Sequence, residues 1–90
     1  MIHKEILVKG KVQGVYFRAT AKSVADKMGI RGAVKNTPDG HVWIVAEGPE
    51  RIIEEFIDWC HYGPSGASVS HLEVTEGPLQ HYADFDILRK

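Results

Sequence analysis

Two stretches of this ninety-residue chain repeat their apolar residues at helical spacing, and each is flanked by stretches that alternate with a period of two. From about Arg18 to Met28, Ala21, Val24, Ala25 and Met28 recur at i, i+3, i+4 and i+7, and Gly29 supplies the stop. The second helix opens at Gly48-Pro49, with proline at its tolerated first-turn position, and Gly63-Pro64 ends it. Its apolar stripe is Ile52, Ile53, Phe56, Ile57 and Cys60, with Glu50, Glu54, Glu55 and Asp58 on the other side. Around the helices, Glu5–Val12, Ile30–Lys35, His41–Ala46 and Ser68–Thr75 read as strands. In the first, Ile6, Val8, Gly10 and Val12 share a face. Asn36-Thr37-Pro38-Asp39-Gly40 carries strong turn chemistry between the second and third. The alternation of the fourth slips between Val69 and Leu72, which predicts a bulge or an edge position. Gly77-Pro78 breaks it, and Asp84–Leu88 reads as a short extra strand.

The order β-α-β-β-α-β is the split βαβ, or ferredoxin-like, plan. It predicts an α+β sandwich with an antiparallel sheet in the order 4-1-3-2 and both helices on one face. The opposite face would be partly open to water. Ninety residues provide one core, so residues 1–90 are expected to form a single domain.

This topology brings two polar residues together. Strands 1 and 2 run in the same direction with strand 3 between them. The loop leaving strand 1, followed by Arg18, therefore lies at the same end of the sheet as Asn36. Two inter-strand steps of about 4.8 Å separate them, most of which an arginine can span. The loop Gln13-Gly14-Val15-Tyr16-Phe17 leads into a helix start, where unpaired N–H groups and the positive dipole end collect. That start lacks a Ser, Thr, Asp or Asn cap and carries Arg18, the wrong sign for this end. A bound anion would satisfy both anomalies, although surface arginines at helix starts are common. Charge distribution points the same way. Residues 1–36 carry +6 and the remaining 54 carry −7, within a net charge of −1. Two oppositely charged solvated faces would give the same asymmetry.

Gly10-Lys11-Val12-Gln13-Gly14-Val15-Tyr16-Phe17-Arg18 resembles the acylphosphatase signature G-x-V-Q-G-V-x-F-R. Gly32–Val42 is similar to that family's second block, G-x-V-x-N-x-x-D-G-x-V, and the step from Arg18 to Asn36 fits without a gap. The resemblance implies metal-free, cofactor-free hydrolysis of the carboxyl–phosphate anhydride of acyl phosphates, with no phosphoenzyme. By the same resemblance, Arg18 and the backbone of Gln13, Gly14, Val15, Tyr16 and Phe17 hold the phosphate, and Asn36 positions the attacking water. Phosphate or sulfate is then expected as a product-like ligand. The chain departs from the family pattern at Ala21, Ala33 and Trp43, where Ser or Thr, an aromatic and Glu are frequent.

Other readings are weaker. His3, His41, His61, His71 and His81 show no i, i+4 pair within a helix and have no cysteine partner set, so they read as solvated or edge residues rather than zinc ligands. Cys60 sits on an apolar stripe and reads as core. Trp43 has opposite parity to Val42, Ile44 and Ala46, which places it on the open sheet face. An RNA-binding module of the same fold would need paired aromatics on strands 1 and 3, and Gly10 and Val12 stand there instead. A domain that binds an acyl phosphate without turning it over remains the alternative, against which Arg18 and Asn36 argue. A lone cysteine, no apolar run of spanning length and no leader pattern predict a cytoplasmic protein, and the net charge of −1 points to no nucleic-acid or membrane partner; a monomer is expected.

Overall fold

The computed structural model describes residues 1–89. In chain order it contains β1 (Ile2–Lys11), α1 (Phe17–Met28), β2 (Arg31–Asn36), β3 (Val42–Gly48), α2 (Glu50–Cys60), β4 (Ser68–Gly77) and β5 (Phe85–Ile87). The sheet order is β4-β1-β3-β2-β5, so the expected 4-1-3-2 arrangement is present with the extra strand beside β2. β1 pairs antiparallel with β3 and β4, β2 pairs antiparallel with β3, and β5 pairs parallel with β2.

One sheet face makes the core, and parity decides which residues enter it. Ile6 and Val8 lie opposite Ile44 and Val42, and Val34 lies opposite Ile44 from the other side. All five are fully buried. Ala21 and Ala25 of α1 and Ile53, Phe56 and Cys60 of α2 close over this face. Each fully buried Ile, Val or Phe contributes about 1.5–3 kcal/mol relative to exposure. An aromatic run ties the layers together: Phe17 is 5.4 Å from Trp59, and Phe56 is 6.0 Å from Trp59 and 6.1 Å from Phe85, centroid to centroid. Burial of Cys60 pushes its thiol well above the ordinary cysteine range, as a core residue requires.

The irregular fourth strand meets both expectations. It is an edge strand, and Lys9↔His71 is followed by Gly10↔Val69, which leaves Ser70 as the extra residue of a bulge. The Ser70 hydroxyl donates to the Lys9 carbonyl at 3.1 Å across the bulge.

The first strand starts earlier than its alternation indicates. β3 runs on to Gly48, so Ile2 and His3 find partners in Gly48 and Glu47. This corrects the reading of His3 as a solvated residue, because His3 and Glu47 are both 3% exposed. His3 Nδ1 lies 2.7 Å from Glu47 Oε2. The crossing segment from β4 to β5 donates two further bonds to that carboxylate, from Gln80 N–H at 2.6 Å and Tyr82 N–H at 3.3 Å. The sheet face away from the helices is therefore covered at this end. At its centre, Trp43 is half-buried, with Lys35 Nζ 4.8 Å from the ring centroid.

Candidate active site

Because β1 and β2 both run antiparallel to β3, the chain leaves both at one end of the sheet. Asn36 shares parity with Val34, so its side chain stands on the helix-bearing face. α1 begins at Phe17 on the same face. Phe17 is 2% exposed and serves as the anchor that fixes the helix start. A Cβ on Gly63 would lie 2.5 Å from Phe17 Cε2, and Gly63 has φ +66°, so glycine is required where the chain after α2 passes this ring.

The connecting loop is shaped by two left-handed residues. Gly14 has φ +75°, and Tyr16 has φ 62°, ψ 25°. A left-handed non-glycine residue costs about 1–2 kcal/mol. Tyr16 stands at the helix N-cap, makes no side-chain cap and is 82% exposed. Its carbonyl accepts from the Thr20 N–H at 3.0 Å and the Thr20 hydroxyl at 2.8 Å, which locks the turn. Among the described residues, no backbone N–H from Gly14 to Arg18 donates a loop, turn or cap hydrogen bond. Successive unpaired donors at left-handed and right-handed positions form an anion-binding concavity.

A cleft of about 400 Å³ opens here. Gly14, Tyr16, Phe17, Arg18 and Asn36 line it, so most of the expected site comes together in one place. Gln13 and Val15 do not line it. The Gln13 amide instead donates to the carbonyls of Thr37 and His41 at 2.9 and 2.7 Å, tying the loop to the turn that follows Asn36. That turn is itself braced. A hydrogen bond from the Thr37 hydroxyl, opposed by slight burial and helped by His41, holds the Asp39 carboxyl below its ordinary value. Val12, Ala19, Ile87 and Arg89 also line the cleft, none of which was anticipated. Finding Ile87 and Arg89 requires knowing that the last strand lies beside β2, which no local pattern discloses.

The cleft is electropositive by construction. Arg18 and Arg89 line it, and among the described residues no carboxylate side chain does. Among the described residues, neither guanidinium forms an ion pair within 4.0 Å, and Asn36 makes no side-chain hydrogen bond. No group of three or more His, Cys, Asp or Glu among the described residues is placed to hold a metal ion. The arrangement can therefore grip a dianionic tetrahedral group and leave a carboxamide free beside it.

The sequence model of the Acylphosphatase family matches residues 4–87. The chain belongs to the acylphosphatase family. It is 42% identical over 88 residues to the acylphosphatase of Gloeobacter violaceus, covering 98% of this chain and 95% of that protein. It is also 42% identical over 87 residues to the acylphosphatase of Archaeoglobus fulgidus, covering 97% and 98% of the two chains. The crystal structure of acylphosphatase from Bacillus subtilis superposes with a TM-score of 0.95 at 39% identity, over 98% of this chain and 99% of that one. Against the acylphosphatase pattern, the three departures fall outside the cleft. Ala21 is buried on the inner side of α1, and Ala33 and Trp43 stand on the sheet face away from the helices.

Proposed function

We propose that this acylphosphatase cleaves acyl phosphates by direct attack of water on phosphorus, with Arg18 and Asn36 carrying the chemistry. The observation that bears most weight is the convergence of an unpaired guanidinium, unpaired main-chain donors and an unpaired carboxamide on one cleft. Arg18 and the N–H groups of the Gly14–Arg18 loop hold the phosphoryl oxygens, where charge spreads as the bond breaks. The Asn36 carbonyl accepts a hydrogen bond from a water and aims it at phosphorus, in line with the acyl oxygen. The new P–O bond forms as the bond to the acyl oxygen breaks, and the carboxylate leaves. The water proton passes to a phosphoryl oxygen, giving carboxylate and inorganic phosphate. A carboxylate is a good leaving group, so the site needs no acid beside it, and among the described residues no acidic side chain lines the cleft.

No helix of the described residues is long and apolar enough to cross a membrane. The cytoplasm is the proposed compartment, supported by a single, buried and unpaired cysteine. A monomer is the proposed working unit.

The test is hydrolysis of benzoyl phosphate by chelator-treated protein, set against 4-nitrophenyl phosphate. Turnover of the anhydride, with the ester left intact and phosphate acting as a competitive inhibitor, is the expected result. Asn36→Ala should lower kcat about 100-fold with little change in KM. Equal rates for wild type and this variant would remove the water-positioning role.

A further inference from the structure

The geometry points to Arg89 as a second phosphate-binding guanidinium, which contacts the same phosphoryl group as Arg18 from the β5 side of the cleft. This rests on the hydrolytic reading only for its consequence in turnover, since the contact itself requires nothing more than a bound phosphate. The placement follows from register. Val34 pairs with Ile87 in the parallel β2–β5 ladder. Leu88 N–H donates to the Val34 carbonyl at 2.8 Å, so the chain continues alongside β2 beyond the end of β5. Extending that register two residues past its last pair puts Arg89 on the Asn36 side of the cleft, which it lines. Period-two alternation puts it on the face that Ile87, Val34 and Asn36 share, toward the start of α1. It lines the cleft together with Arg18.

The in-line reaction explains what a cation there can touch. A water held by Asn36 and the departing acyl oxygen occupy opposite sides of phosphorus, so the remaining phosphoryl oxygens project sideways between them. Arg18 and the Gly14–Arg18 N–H groups approach from the β1 side. A guanidinium rising beside Asn36 is on the other flank, at the water's side of phosphorus rather than the acyl side. It therefore meets a phosphoryl oxygen before it meets the acyl group. Among the described residues, no carboxylate lies within 4.0 Å to neutralise it. Arg89 is exposed, so its contact is partly screened and its contribution smaller than that of Arg18.

The experiment uses inorganic phosphate as the probe. Titration of the full chain with phosphate, followed calorimetrically, should show Kd rising roughly five- to tenfold in Arg89→Gln, with Arg89→Lys recovering part of the loss. KM for acetyl phosphate and for benzoyl phosphate should rise by that same factor with kcat nearly unchanged, since the contact is present in both ground and transition states. An unchanged phosphate Kd would overturn the assignment. So would a KM effect confined to one of the two acyl groups, which would place Arg89 on the acyl side. A wild type that binds phosphate through Arg89 yet fails to hydrolyse either substrate would sink the proposed activity and leave this contact standing.

Discussion

The two ends of β3 carry polar clusters that are opposite in character. At the Gly48 end, His3 and Glu47 are buried, and the carboxylate accepts from His3, Gln80 N–H and Tyr82 N–H. At the Val42 end, Arg18 and Asn36 line an open cleft with no side-chain partner among the described residues, and the N–H groups of Gly14–Arg18 donate no loop, turn or cap bond. A buried carboxylate is tolerable only when its hydrogen bonds are made, and made together they pin the crossing segment to the sheet. Open polar groups add nothing to stability and stay available to a ligand. The first cluster ties chain segments to the sheet and the second is left open to solvent, and the same strand holds them apart.

The largest effect that tests this division is at the open end. Arg18→Gln should lower kcat/KM about 1,000-fold, and the free energy of urea unfolding should change by no more than about 0.5 kcal/mol, because the side chain has no protein partner to lose. A large loss of stability with modest loss of activity would reverse the assignment of the two ends.

Glu47 should behave in the opposite way. Glu47→Ala leaves His3 and the two backbone N–H groups without their acceptor, for a loss of about 3 kcal/mol in urea unfolding. Activity per folded molecule should stay within about twofold, since distant sites act independently. The pH dependence gives a second readout. Burial alone would raise the Glu47 carboxyl, but the Gln80 N–H, His3 and Tyr82 N–H together hold it below the ordinary 4.5. A carboxyl depressed on folding stabilises fully above its unfolded value and loses that contribution as pH falls through its folded value. Wild-type stability should therefore decline below about pH 4.5, and the Glu47→Gln variant should lose this component of the slope. An acid limb identical in both proteins would show that the carboxylate is not the group being titrated.

The difference between the ends also explains how much could be read from the residues alone. The six main elements and the pairing of Arg18 with Asn36 follow from local periodicity and the chirality-restricted split βαβ plan, so they were legible. Arg89 and Ile87 were not, because β5 can attach to either side of the sheet and no local pattern chooses. His3 was missed for a related reason. One histidine near a chain start carries no sign of burial until Glu47 is known to lie opposite and Gln80 and Tyr82 to close over it. Gln13 was read for its backbone as a phosphate contact, and the role of its side chain was not foreseen. Its side chain is occupied by the Thr37 and His41 carbonyls, a long-range bond with no local signature.

The smallest expected effect concerns strain at the open end. Tyr16 adopts φ 62° at the cleft rim with its ring 82% exposed, so little packing offsets the conformation. Relief of left-handed strain by Tyr16→Gly is worth about 1–2 kcal/mol, and the greater freedom of glycine in the unfolded chain returns about 0.5–1 kcal/mol. The net gain should be about 0.5 kcal/mol, whereas Tyr16→Ala keeps the strain and should gain nothing. The informative quantity is the difference between the two variants in urea unfolding, because loss of the ring is common to both. If the loop geometry is held to keep its N–H groups aimed into the cleft, Tyr16→Gly should also raise the phosphate Kd by allowing those donors to wander. A glycine variant that is both less stable than the alanine variant and unchanged in phosphate binding would show that the left-handed turn stores no strain and serves no ligand. The open end would then differ from the closed one in solvent exposure alone.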